Sequence, residues 1–187
     1  MSKGDLERLK LQVEKDKSLP LREGATNLVF GEGNPNARVI FLGEAPGRQE
    51  DEQGRPFVGR SGQFLTKLLE SIGVDRKDVW ISSVVYFRPP ENRLPTPSEI
   101  KAYSDYVDQQ IKIISPKVIV TLGRTSLSKF LPTAKITQVH GQPQQIEIDG
   151  RNLTLLPMFH PAAGLRAANV KKQLEEDFNL NHQLLSQ

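Results

Sequence analysis

Cysteine is missing altogether from this chain of 187 residues. Its absence excludes disulfides, thiolate zinc sites, cysteine-held iron–sulfur clusters and a cysteine nucleophile. Histidine is scarce: His140, His160 and His182 lie far apart, with no His-x-x-x-His spacing, so no dedicated metal site is expected. No apolar run approaches the roughly 20 residues of a membrane helix. The start, Met1-Ser-Lys-Gly-Asp-Leu-Glu-Arg8, is too charged for a secretory signal, and the chain reads as cytoplasmic. There is no nucleoside-triphosphate loop of the Gly-x-x-x-x-Gly-Lys-Ser/Thr type and no Gly-x-Gly-x-x-Gly dinucleotide fingerprint. A Gly-x-Ser-x-Gly nucleophile elbow is absent too. Repeats, low-complexity tracts and domain-dividing linkers are likewise lacking.

What is present suits one globular domain over residues 1–187. Hydrophobic residues make up 37% and charged residues 25% of the chain, an ordinary balance. A domain of this size buries roughly 70% of its unfolded surface. The formal charge is +3 and the isoelectric point about 9.2, only mildly basic. Between Asp149 and Glu175 there is no acid, while Arg151, Arg166, Lys171 and Lys172 fall there. That stretch is either a basic face for a nucleic acid or a solvated helix start.

The pattern predicts strands alternating with helices. Leu6, Leu9 and Val13 make a helix of Asp5–Asp16. Leu28–Phe30 reads as a short edge strand, and Val39–Leu42 as a buried one. A long loop follows from Gly43 to Arg60. Ser61 is placed to cap a helix through Ile72, stopped by Gly73. Val79–Val85 is a second strand, and Tyr86–Pro97, with four prolines, a constrained loop. Thr96-Pro-Ser-Glu99 is a capping box with proline at the first helical position, opening a helix to about Ile114. Val118–Leu122 is a third strand, followed by a helix over Thr125–Phe130. Asp149-Gly150 turns a hairpin between Gln145–Ile148 and Asn152–Leu156, and a final helix spans about Asn169–Leu184. This alternation implies a mainly parallel sheet covered on both faces, an α/β/α sandwich.

The loops at the carboxyl ends of those strands converge on one rim, where ligands of open α/β sheets bind. The first, in Arg38-Val-Ile-Phe-Leu-Gly-Glu-Ala-Pro-Gly47, carries one acid, Glu44, between small residues that bare the backbone. Glu44 is either a catalytic carboxylate or a buried tie for the loop. His160 ends a strand-like run at the same rim, before Pro161 and small residues. Phe57, inside Gly54-Arg-Pro-Phe-Val-Gly59, is a stacking platform for a planar ligand or an anchor for its loop. Arg88-Pro-Pro-Glu-Asn-Arg93 is a rigid, doubly basic loop that suits a phosphate backbone, or a stiff connector.

Taken together and in order, Gly43-Glu-Ala-Pro-Gly47, Glu50-Asp51, Gly54-Arg-Pro-Phe-Val-Gly-Arg-Ser-Gly62, Arg88–Arg93, Pro116-Lys-Val-Ile-Val-Thr-Leu-Gly123 and His160-Pro-Ala-Ala163 resemble the uracil-DNA glycosylase superfamily, and family 4 in particular. The likeness runs from about Leu19 to the C-terminus. It implies a sandwich around a central four-stranded parallel sheet, and a monomeric, metal-independent glycosylase that flips uracil out of DNA and hydrolyses its glycosidic bond. It assigns Glu44 and His160 to catalysis. Gly43, Ala45, Phe57 and Ser83 would receive the base. Arg88, Pro89, Pro90, Arg93, Leu165 and Arg166 would meet DNA, Leu165 filling the vacated stack.

Two departures stand out. The family holds an iron–sulfur cluster on four cysteines, and the matching positions here are Leu19, Arg22, Phe87 and Tyr103. The cluster is therefore expected to be absent and replaced by packing, with Arg22 over an aromatic face. Ser83 stands where many members carry asparagine to read the uracil edge. A serine hydroxyl is shorter and both donates and accepts, so the preference can shift to another deaminated base. Two further readings stay open: a damaged-DNA-binding module without excision, and a flavodoxin-like mononucleotide-binding domain.

Overall fold

The computed structural model describes residues 2–186. Its elements in chain order are α1 (Ser2–Lys15), β1 (Glu32–Gly33), β2 (Val39–Gly43), α2 (Arg48–Gln53), α3 (Arg60–Ser71), β3 (Trp80–Ser83), α4 (Pro97–Ile114), β4 (Val118–Leu122), α5 (Arg124–Ser128), α6 (Ile136–Val139), β5 (Gln144–Ile148), β6 (Arg151–Met158), α7 (Pro161–Arg166), α8 (Ala168–Leu180) and α9 (His182–Leu185). The sheet has six strands in the order β1-β3-β2-β4-β6-β5. The inner four are parallel, as expected; the outer two pair antiparallel and enlarge the four-stranded sheet.

Parallel strands covered on both faces must be apolar on both sides, which is why Val39–Leu42 reads as an unbroken hydrophobic run. Ile40, Leu42 and Ile119 pack with Leu6, Leu9 and Val13 of α1 and Tyr103, Val107 and Ile111 of α4. Val39, Phe41, Val118 and Val120 face the other way, against Leu65, Leu68 and Leu69 of α3 and Leu174 and Phe178 of α8. Burying each such side chain contributes roughly 1.5–3 kcal/mol, so the two layers fix the register of the strands between them.

Local signals act as their chemistry dictates in several places. Thr96 accepts from the Glu99 backbone amide, and the Glu99 side chain accepts from that of Thr96, a cap contributing about 1 kcal/mol. Asp149 and Gly150 both take positive φ, 50° and 72°, as a two-residue hairpin turn demands. Other boundaries move. The edge strand is Glu32–Gly33 rather than Leu28–Phe30, although the Val29 amide still donates to the Tyr86 carbonyl at 2.9 Å. Helix α3 starts at Arg60 with Gly59 as its cap, not Ser61. The carboxylate of Glu50 accepts from the amides of Val58 and Gly59 at 2.9 and 2.8 Å, so the chain is fixed two residues earlier than a serine cap would fix it. The last helix breaks at Asn181, giving α8 and α9. Among the described residues, no helix is long and apolar enough to cross a membrane.

Candidate active site

Strand β2 pairs with β3 on one side and β4 on the other. The strand order switches sides there, β3 being added to one side of β2 and β4 to the other, and the crevice at the carboxyl ends of β2 and β4 is the place where such sheets bind ligands. A cavity of about 510 Å³ opens at that crevice, within the range of small-molecule sites. Of the residues singled out from sequence, it gathers Glu44, Ala45, Phe57, Ser83, Arg93, His160 and Arg166.

Glu44 leaves the end of β2. Its Oε1 accepts from the Thr125 amide at 3.0 Å, in the first turn of α5, which holds one carboxylate oxygen still. Gly123, ending β4, lies between acid and imidazole. A Cβ there would stand 2.5 Å from Glu44 Oε1 and 3.2 Å from the His160 Cβ, and its φ is 101°. Only glycine fits that backbone and that gap. Glu44 and His160 thus flank a single bare residue.

His160 caps α7. Its Nδ1 accepts from the Ala162 amide at 3.1 Å, so Nδ1 is unprotonated and Nε2 carries the hydrogen. No other described residue takes that Nε2–H. Burial pushes the imidazole below its ordinary value; the Glu44 carboxylate opposes this and Arg166 reinforces it. The hydrogen bond and the direction of that shift agree on a neutral imidazole with one free donor.

Phe57 is 8% exposed and holds a left-handed φ of 49°, uncommon for a bulky residue. The arrangement around it keeps it there. Arg76, itself largely buried, donates to the Phe57 carbonyl at 2.6 Å and also to the Pro56 carbonyl, while Glu32 holds the guanidinium from behind at 3.1 Å. The ring lies 5.7 Å from the His160 ring at 28°. Gly43 does not line the cavity but makes room for it: a Cβ there would stand 2.5 Å from the Phe57 ring and 3.2 Å from Ser83 Oγ. Ser83, paired with Gly43 across β2 and β3, is 3% exposed at the cavity wall.

The proline-rich loop is only partly engaged. Arg88 donates to Asn92 Oδ1 at 2.7 Å and lies off the cavity. Pro89 is buried and Pro90 begins a short 3-10 turn facing another hollow. Arg93 reaches the cavity but pairs with both Glu99 oxygens, at 2.7 and 2.8 Å; that pairing chiefly holds the Glu99 carboxyl at about 2. Leu165 is 42% exposed on α7, outside the cavity. Asn92, Leu94, Arg124 and Ile136 also line the site without having been singled out. Arg124 was in reach, since it follows the Gly123 that ends a predicted strand.

The positions matched to cluster ligands come together. Leu19, Phe87 and Tyr103 are buried in one core. The guanidinium carbon of Arg22 lies 4.8 Å from the Phe87 ring centroid. Arg22 also donates to the Val13 and Glu14 carbonyls at the end of α1, at 3.0 and 2.9 Å, and the Tyr103 hydroxyl donates to the Pro20 carbonyl. No set of three or more His, Cys, Asp or Glu side chains suited to a metal occurs among the described residues. These side chains do not fit an iron–sulfur cluster; they meet through a cation–π contact and aromatic packing. Phe87→Ala removes that packing. Its expected cost is about 3–5 kcal/mol, a fall in Tm on the order of 10 °C, read by calorimetry.

Residues 30–181 match the family described as the uracil DNA glycosylase superfamily. A type-4 uracil-DNA glycosylase of Sulfurisphaera tokodaii is 45% identical over 179 residues, spanning 92% of this chain and 81% of its own. One from Thermotoga maritima is 48% identical over 157 residues, 83% of this chain and 80% of its own. A third, from Archaeoglobus fulgidus, is 42% identical over 163 residues, 84% and 82% respectively. The chain belongs to the uracil-DNA glycosylase superfamily. Within it, these relatives are all of the type-4 kind.

Proposed function

We propose that this protein is a uracil-DNA glycosylase of the type-4 kind, working in base-excision repair without an iron–sulfur cluster. The observation that carries the reading is the meeting of Glu44 and His160, from distant strands, in one cavity beside Phe57. The base is flipped from the stack, at a few kcal/mol, and stacks on Phe57 with Ser83, Gly43 and Ala45 around its edge. The C1′–N1 bond breaks, leaving positive charge on the sugar and its electron pair on the base. Glu44 faces the cation and orients the water that adds to C1′, taking up its proton. The Nε2–H of His160 donates to O2 of the uracil as that oxygen becomes anionic. A neutral donor keeps its proton throughout, and the bond strengthens only as charge develops. No step in this scheme calls on a metal ion, and every group comes from one chain, so a monomer suffices. Arg166 and the Arg88–Arg93 loop hold the DNA backbone, and Leu165 occupies the gap in the stack.

Ser83 favours a second reading of the base, not of the chemistry. Its hydroxyl cannot reproduce a two-point amide contact. A panel of oligonucleotides bearing uracil, hypoxanthine, xanthine or a thymine mismatch, treated with protein and then alkali, decides the point. The expected result is cleavage at uracil, fastest when it is mispaired or single-stranded, and Ser83→Asn sharpens the preference. Binding to uracil DNA with no base released would instead make the protein a damage-binding module.

A further inference from the structure

The cavity does not exhaust the surface this fold offers to a nucleic acid. A groove of about 970 Å³ runs between α3 and α8, with α7 at its end. Phe64 and Gly164 line it, and Arg60, Lys67, Lys171 and Lys172 edge it. Arg60 and Lys67 form no ion pair among the described residues. Lys171 and Lys172 meet Glu175 and Glu176 only at 3.7 Å, all four side chains half exposed or more. Such loose surface pairs hold weakly and yield readily to a phosphate.

The groove adjoins the cavity at two points along the chain. Arg60 lines the groove and Ser61 the cavity; Leu165 lines the groove and Arg166 the cavity. A strand whose base enters the cavity therefore meets the groove as it leaves. Arg60 and Lys67 lie seven residues apart on one helix face, about 10 Å along the axis. That distance spans about three phosphates of a stacked strand at roughly 3.4 Å each. A polyanion is the one partner of repeating charge that suits these cations and the proposed chemistry alike.

Resting on the glycosylase reading, we infer that the α3–α8 groove is a second DNA subsite, which holds the backbone of the uracil-bearing strand on one side of the flipped nucleotide. It binds phosphate and not base, so it adds affinity without sequence preference.

The test is fluorescence anisotropy with single strands. One probe of about five nucleotides carries a central uracil and fills the cavity alone. Two others extend it on the 5′ or the 3′ side. Extension on one side only is expected to tighten wild-type binding by about tenfold, through the additional phosphates held. The double variant Lys67→Glu/Lys171→Glu abolishes that gain, and its salt slope becomes shallower by about 0.7 for each phosphate that is no longer neutralised. Lys112→Glu, an exposed change on α4 across the sheet, keeps the gain. Equal gains for the double variant and the wild type would overturn the subsite, as would no gain on either side while uracil is still released. Absence of both binding and release would overturn the glycosylase reading, and the subsite with it.

Discussion

Glu44→Gln is expected to slow uracil release by about a thousandfold at saturating substrate, with KM little changed. The carboxylate has two tasks, facing the sugar cation and orienting water, and the amide performs neither with a full negative charge. Losing a positioned base costs about 10²–10⁴ in rate, and losing a preorganised electrostatic partner costs a similar amount. Glutamine preserves the Oε1 that accepts from the Thr125 amide, so the loop stays in place and the loss reports chemistry. Single-turnover rates on a uracil oligonucleotide measure it. Activity retained within tenfold would remove Glu44 from the reaction.

His160→Ala is expected to cost about 10²–10³ in the same rate, the usual loss when one anion-stabilising donor is removed. The pH profile gives an independent reading. Burial places the imidazole below its ordinary 6.5, and protonating Nδ1 would set two donors against each other at the Ala162 amide. The neutral form therefore persists below pH 6.5, and any acid-side loss of rate due to His160 begins below that value. Stability follows the same sign. The unfolded chain takes the proton near 6.5 and the folded one only at lower pH. The contribution of the neutral imidazole is whole above 6.5 and is lost as pH falls through the folded value. A rate that rose on acidification through 6.5 would mean that the imidazolium is the active form.

The strands and the long helices were legible because each carries a local signal. Val39–Leu42 and Val118–Leu122 are apolar runs, and α4 begins with a full capping box. The rim was legible too: Glu44 and His160 each end an apolar stretch with a polar side chain at a strand's carboxyl end, and Phe57 sits in a glycine-bounded loop. Helix α2 was not. Arg-Gln-Glu-Asp-Glu-Gln has no apolar face, and Gly47 gives no side-chain cap. It is held from outside, by Asp51 accepting from the Thr26 and Asn27 amides at 2.8 and 3.1 Å. The short α6 and α7 were missed because four to six residues hold too little of the helical period. Arg76 escaped for a different reason. Its task, gripping the Phe57 and Pro56 carbonyls, exists only once the chain has folded. Arg93 shows the converse: its position in a basic loop was plain, but its pairing with Glu99 depends on where α4 starts.

The shared role of Glu44 and His160 depends on where a base sits. Crystals of Glu44→Gln with a uracil-bearing single strand would show it. The expected structure has the uracil ring against Phe57, with O2 about 2.7–3.1 Å from Nε2 of His160 and the sugar facing residue 44. A uracil bound away from that cavity, or bound in it with O2 turned from His160, would contradict the assignment of acid and donor to a common reaction.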